Sequence, residues 1–258
     1  MSSKNMLSSL QPRCHALVPC GGTGSRAGVG VPKQYRRVAG RSVLAHSLAA
    51  LTGVMRLAQV VVLVSPDDAH IDRFPLEGTS DAGPQCVVAR CAGPTRAHTV
   101  ANGLAWLSAQ GAQPQDWVLV HDAARCLVTS DQVNRLMDAC LPDAIGGLLA
   151  HKLPDTLKTC RDGRVASTVP REDKWLAQTP QMFRLGDLSR ALSVSQLSDH
   201  AHITDEASAM EAVGLSPLLV ESGAENFKLT YPADFAMAEA ILQARGVGTS
   251  AHERPVSP

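Results

Sequence analysis

No aspartate or glutamate occurs in the first 66 residues, although the whole chain balances 24 bases against 24 acids. That stretch carries eight bases (Lys4, Arg13, Arg26, Lys33, Arg36, Arg37, Arg41 and Arg56), so zero net charge conceals a basic N-terminal third. Overall neutrality gives no reason to expect a nucleic-acid or membrane partner, whereas a local excess of base suggests a localised anion site. A basic patch that only aids solubility has the same composition, so charge alone does not decide. Long apolar runs are missing too. The longest strand-like run, QVVVLV at 59–64, falls far short of the ~20 residues that span a bilayer. The seven cysteines are odd in number and form no C-x-x-C pair, which argues against a disulfide framework or a zinc site and for a reducing cytoplasm. Also absent are a G-x-x-x-x-G-K-[ST] loop and any Ser-His-Asp or Cys-His motif.

What is present alternates. Apolar segments at 14–19, 59–65, 85–90, 117–121, 144–150, 217–220 and 226–230 read as strands. Helical stretches fall near 42–51, 94–109, 130–140, 186–197, 204–213 and 232–244. Ser42, Thr129 or Ser130, and Thr204 are start signals, and Pro232 suits a first helical turn. Strand–helix alternation predicts an α/β fold with a mostly parallel sheet covered on both faces. One segment breaks the rhythm: in Pro154–Asp173 two short alternating runs flank Asp162-Gly163, a hairpin signal, and the hairpin has no evident core to cover. It either projects as an arm or folds back on its own sheet. Residues 1–13 and 246–258 read as disordered tails around a domain at 14–245.

In open α/β sheets ligands gather at the carboxyl ends of the strands. Three unusual segments fall there. The first is the glycine-rich, basic loop of PCGGTGSRAGVGVPKQY (19–35), which has three readings. Gly22-Thr-Gly24-Ser-Arg-Ala27 fits a dinucleotide fingerprint, but the acid expected about 20 residues later is missing before Asp67. The P-loop pattern is absent. A phosphate-wrapping loop, with backbone amides from Gly21 to Ser25 and charges from Arg26 and Lys33, uses the bases and needs no early acid. The second segment follows 85–90. The third is VHDAAR (120–125), where Asp122 at a strand end suits a magnesium ligand facing a triphosphate or a salt-bridging partner of Arg125. His121 reads as a packing or hydrogen-bonding residue, and Cys20 and Cys126 as packing residues. Farther on, Lys228 and Glu225 in ENFKLT read, without further context, as a solvated strand end, with site groups as the alternative.

Taken in order, PCGGTGSRAGVGVPKQY, GPTRAHTVANGL (93–104), VHDAAR, DTLK (155–158), TVPRED (168–173), LAQTPQMF (176–183), ITDEASAME (203–211) and NFKLTYPADF (226–235) resemble the 2-C-methyl-D-erythritol 4-phosphate cytidylyltransferases of the non-mevalonate isoprenoid pathway. The resemblance implies a single Rossmann-like nucleotidyltransferase domain with a twisted sheet and a projecting β-hairpin arm at about 152–172. It also implies CMP transfer from CTP to methylerythritol phosphate, with CTP as co-substrate, Mg²⁺ or another divalent cation, and a cytoplasmic homodimer joined through the arms. Its roles for matching positions are as follows. Arg26, Lys33 and Lys228 would neutralise phosphate charge; Cys20, Gly21, Gly22, Gly24, Ser25, Gly93 and Thr99 would surround CTP. Asp122, with Glu225 less surely, would hold the metal. Thr156 and Arg171 from a partner's arm, with Thr179 nearby, would grip the acceptor. The sequence departs from the family at Cys20-Gly21, where two alanines are common, at Ala27 and Cys126, and at Glu225, where an aspartate is common. A ribitol 5-phosphate cytidylyltransferase and a nicotinamide-dependent oxidoreductase built on Gly22, Gly24 and Ala27 stay open as alternatives.

Overall fold

Strands β1 (Cys14–Pro19), β4 (Gln59–Leu63) and β6 (Trp117–Val120) are apolar on both sides and almost wholly buried, as a sheet covered on both faces requires. The computed structural model describes residues 11–22, 31–73, 76, 79, 82–197 and 203–246. With β5 (Gln85–Ala89), β7 (Gly146–Lys152), β10 (Trp175–Arg184) and β11 (Leu218–Glu221), these strands form one seven-stranded sheet in the order β11-β7-β10-β6-β1-β4-β5. All neighbouring pairs are parallel except the two made by β10, which runs antiparallel to β6 and β7. The expectation of a mostly parallel α/β sheet holds.

Helices α1 (Val43–Thr52) and α3 (Ser130–Cys140) cover one face through Leu44, Leu48, Leu51, Val133, Leu136 and Met137. The other face packs α2 (Arg96–Ala109), α4 (Leu185–Leu197) and α5 (Glu206–Ala212) through Val100, Leu104, Leu188, Leu192 and Met210. Helix α6 (Pro232–Ala244) closes a third cluster with Phe235, Ala238 and Leu242 against Leu127 and Leu229. The start signals work as expected at three helices. Ser42 accepts from Ala45 N, Thr129 forms a capping box with Gln132, and Pro232 opens α6. At α5 the cap is Asp205 rather than Thr204, in a reciprocal pair with Ser208.

Two strand expectations need correcting. Residues 226–230 form no ladder; they run as a loop held by Leu229 N to Ala124 O. Conversely β10 lies where no strand was expected. Pro180, which cannot donate to a ladder, sits inside it, and the strand absorbs it with a register shift between Ala177 and Gln181. The short pair β2 (Arg37–Val38) and β3 (Arg41–Ser42) is also additional to the sequence reading. The segment expected to project does form a hairpin, β8 (Leu157–Arg161) with β9 (Arg164–Val169), in a two-stranded sheet of its own. Its turn has φ of 52° at Asp162 and 74° at Gly163, the double left-handed step that Asp-Gly favours. Nearly every residue of both strands is exposed.

At the N-terminus Arg13 is exposed yet hydrogen-bonded to the domain. Its amide donates to Asp116 Oδ1 and its guanidinium to Gly111 O. The rest of the two expected tails, apart from residues 11 and 12 and Gly246, lies outside the described residues.

Candidate active site

The parallel strands β1, β4, β5 and β6 end at one edge of the sheet, and the segments after β1, β5 and β6 line a cavity of about 430 Å³. Its lining draws on Cys20, Gly21 and Gly22 after β1, on Gly93 to Arg96 after β5, on Asp122 after β6, and on Lys33, Thr99 and Lys228. The sequence-predicted residues in these segments therefore converge. Gly24, Ser25 and Arg26 lie outside the described residues.

The start of the glycine loop is fixed from below. Cys20 N continues the sheet by donating to Leu63 O, and Gln34 Nε2 donates to Cys20 O at 2.9 Å and to Gly22 O at 3.2 Å. Sequence reasoning passed over Gln34, which is buried in the 3-10 turn Lys33–Tyr35. At Gly21 a Cβ would stand 2.5 Å from that of Ala92, so the loops after β1 and β5 meet only because residue 21 has no side chain. Burial pushes the Cys20 thiol far above its ordinary value, which marks it as packing with its backbone toward the cavity. Thr99 Oγ1 accepts from Gly93 N at 3.0 Å and donates to Thr95 O at 3.0 Å, so the threonine shapes the Gly93 loop. Lys33 Nζ reaches Leu229 O at 3.2 Å, on the cavity's far wall.

The centre of the charge pattern is Asp122. Its Oδ1 accepts from Arg96 Nε at 2.8 Å and its Oδ2 from Lys228 Nζ at 2.7 Å. Burial opposes its ionisation, but Arg96 and Lys228 outweigh that and hold its carboxyl well below the usual carboxylate range. Arg125 is the more distant partner, with Nε 4.0 Å from Oδ2. Instead Arg125 ties the walls together, donating to Asn226 O at 2.7 Å and Ala177 O at 3.2 Å. Arg96 carried no assignment at the sequence level, because nothing local to GPTRAHTV singles it out.

A second cavity of about 220 Å³ shares Arg96, Asp122 and Lys228 with the first and extends to Arg125, Gln178, Thr179, Gln181 and Asp205. Thr179 Oγ1 accepts from Asp122 N at 3.0 Å and pairs with His121 Nδ1 at 3.1 Å. His121 Nε2 faces the carbonyl of Arg125, so that nitrogen carries the proton and Nδ1 accepts from the threonine. Thr179 therefore has no hydroxyl hydrogen left for a ligand, and its geometry is that of a brace for the 121–125 turn. The reading of His121 as a hydrogen-bonding residue holds.

Glu225 departs from its expected place. Its carboxylate pairs with Arg245, and it lines neither cavity. Its extra methylene is spent on the C-terminal end of α6. Thr156 and Arg171 also lie apart from both cavities; they are exposed at the base of the hairpin, where Arg171 Nη1 donates to Pro154 O. No group of three or more His, Cys, Asp or Glu converges among the described residues.

Burial lowers the pKa of His121 to about 4. The unfolded chain then binds a proton that the folded chain refuses between pH 6.5 and 4. Stability present above pH 6.5 is lost as pH falls through that window, by an amount on the order of 3 kcal/mol. Urea unfolding at successive pH values should show this slope, and His121→Gln should flatten it by about one proton. An unchanged slope in that variant would remove His121 as its source.

Comparison with known proteins agrees with this architecture. Residues 14–244 match the family model described as IspD, 2-C-methyl-D-erythritol 4-phosphate cytidylyltransferase. The chain is 55% identical over 250 residues to a bifunctional enzyme IspD/IspF of Albidiferax ferrireducens, covering 97% of this chain and 58% of that relative's length. It is 50% identical over 231 residues to a 2-C-methyl-D-erythritol 4-phosphate cytidylyltransferase of Chromobacterium violaceum, covering 89% of this chain and 98% of the relative. Among solved structures, a 4-diphosphocytidyl-2C-methyl-D-erythritol synthase superposes with a TM-score of 0.76 at 40% identity, covering 90% of this chain and all of that one (100%). The Thermus thermophilus cytidylyltransferase follows at a TM-score of 0.70 and 29% identity, covering 90% of this chain and 99% of that one. With the match running over residues 14–244, the chain belongs to the 2-C-methyl-D-erythritol 4-phosphate cytidylyltransferase family.

Proposed function

We propose that this protein transfers CMP from CTP to 2-C-methyl-D-erythritol 4-phosphate, releasing pyrophosphate. The observation that carries the reading is the pair of cavities that meet at Asp122, Arg96 and Lys228. One cavity is walled by a glycine loop suited to a triphosphate, and the other is a polar pocket suited to a small polyol phosphate. Lys228 stands at their boundary, where a phosphate oxygen of the acceptor would attack the CTP α-phosphorus. The bond to the β-phosphate bridging oxygen would then break.

The acceptor phosphate is already an anion, so no strong base is required. The work is to hold two polyanions together and to neutralise charge gathering on the α-phosphate. We assign that work to Lys33, Lys228 and Arg26. Gly21, Gly22, Gly24, Ser25 and Gly93 would bring backbone close to the nucleotide, with Thr99 holding the Gly93 loop and Cys20 packed beneath. Asp122 is the residue that would hold Mg²⁺, and the lining fits it: a lone carboxylate suffices when triphosphate and water supply the other ligands. When bound, the ion would supply charge neutralisation on the phosphate oxygens. Glu225 is left out of that set because it lines neither cavity.

The hairpin is the remaining piece. A two-stranded ribbon with nearly all its residues exposed is marginal on its own, and Leu157 and Val165 stand bare on it. We infer that it reaches a second copy, where Thr156 and Arg171 grip the acceptor phosphate in the partner's site. No described helix is long and apolar enough to cross a membrane, and seven free cysteines are compatible with a cytoplasmic setting.

The test is pyrophosphate release from CTP and Mg²⁺ with methylerythritol phosphate and ribitol 5-phosphate assayed side by side. Release with methylerythritol phosphate alone is expected. Release only with ribitol phosphate would reassign the acceptor, and a folded protein inactive with both would overturn the reading.

A further inference from the structure

A carboxylate buried in the wall of an anion site works against that site unless it acts on a neighbour. Glu206 stands directly behind such a wall, on Arg96, which lines both cavities. It is the first residue of α5, 1% exposed, and its oxygens accept from Arg96 Nη1 at 2.7 Å and Nη2 at 3.0 Å. Burial raises its pKa while Arg96 pulls it down. With both terminal nitrogens occupied, the guanidinium presents Nε to Asp122 Oδ1, and Asp122 Oδ2 holds Lys228. Four groups from four segments thus form one row of alternating charge, Glu206, Arg96, Asp122, Lys228. The anchor of the row is itself fixed. Gln181 on β10 donates to Asp205 Oδ2 at 2.9 Å and accepts from Ala207 N at 2.7 Å, on either side of Glu206.

We propose that Glu206 is a positioning residue for the transfer reaction. By holding both terminal nitrogens of Arg96, it turns Nε onto Asp122 and so sets where Asp122 and Lys228 stand between the two cavities. The inference rests on the functional reading above. A guanidinium released from Glu206 would present its fork to the triphosphate, the geometry in which arginine binds phosphate best. CTP would then bind no more weakly, while Asp122 and Lys228 lost their fixed places. The signature is a fall in kcat without a rise in the CTP dissociation constant, which a loosened fold does not produce.

Glu206→Gln keeps the side chain's size and removes its charge. Expected are a kcat lower by roughly 10–100-fold, typical for the partner of a site residue, and CTP affinity by calorimetry equal to or tighter than that of the wild type. In an Asp122→Asn background the same change should alter kcat by less than about twofold, because the residue it acts through is gone. An equal factor in both backgrounds, or CTP affinity weakened in step with kcat, would overturn the proposal. Should Glu206→Gln not fold, Arg96→Lys carries the kcat comparison between the two Asp122 backgrounds, since an ammonium cannot bridge both carboxylates as the planar fork does. A wild-type protein that released no pyrophosphate would sink the functional reading instead. The row would then stand or fall on whether Glu206→Gln and Asp122→Asn are non-additive in melting temperature.

Discussion

Lys228→Ala is expected to slow pyrophosphate release by roughly 10²–10³-fold, the usual cost of removing one preorganised donor from a developing anion. The reason is the ammonium's place. It reaches Asp122 at 2.7 Å from a loop with no ladder partner, and it lines both cavities, so it can act where the two substrates meet. The fold should tolerate the change. The side chain is 40% exposed, and Arg96 continues to hold the other oxygen of Asp122. kcat should fall further than the KM for CTP rises, because the lost charge matters most once the α-phosphate has gained a ligand. Steady-state assays with a melting curve as control decide it. A rate within about fivefold of wild type, against the 10² expected, would remove Lys228 from the chemistry.

Arg171→Ala and Lys33→Ala, each nearly inactive alone, should together regain about a quarter of wild-type activity when mixed in equal amounts and allowed to exchange, given a two-fold dimer. Lys33 lies in the cavity of its own chain, whereas Arg171 sits on the exposed hairpin away from both cavities. If the hairpin serves the partner, half of the dimers in the mixture are hybrids. Each hybrid holds one site with both residues intact and one with neither. If the hairpin serves its own chain, every site lacks one residue and nothing is recovered. Activity against mixing ratio, with exchange verified by mass, separates the two. A flat line at the level of the single variants would reject a shared site.

The outline of the fold was legible because it rests on local and periodic signals. Doubly apolar runs such as 59–63 have no stable place except a covered sheet, and Ser42, Thr129 and Pro232 start helices through their own side-chain or ring geometry. Asp162-Gly163 turned the hairpin because both residues tolerate positive φ. Strand β10 was hidden by Pro180, which counts against a strand locally yet is absorbed by a register shift that only the neighbours β6 and β7 define. The segment 226–230 misled in the opposite sense. Its apolar alternation answers to burial against Ala124 and α6, and no strand is there to pair with it.

The same division runs through the site. By itself the sequence determined that a glycine-rich basic loop, a strand-end Asp122 and Lys228 are available, since each is a property of a short segment. Only the tertiary structure decided what they act on. It gave Asp122 to Arg96 and Lys228, Glu225 to Arg245, and Glu206 to Arg96, across separations of up to 110 residues. It also made Thr179, in the lining of the second cavity, a brace whose hydroxyl hydrogen goes to His121. The physical reason is that an ion pair's partner is chosen by distance and desolvation in the folded chain, and neither quantity exists until the sheet has brought the strand ends together.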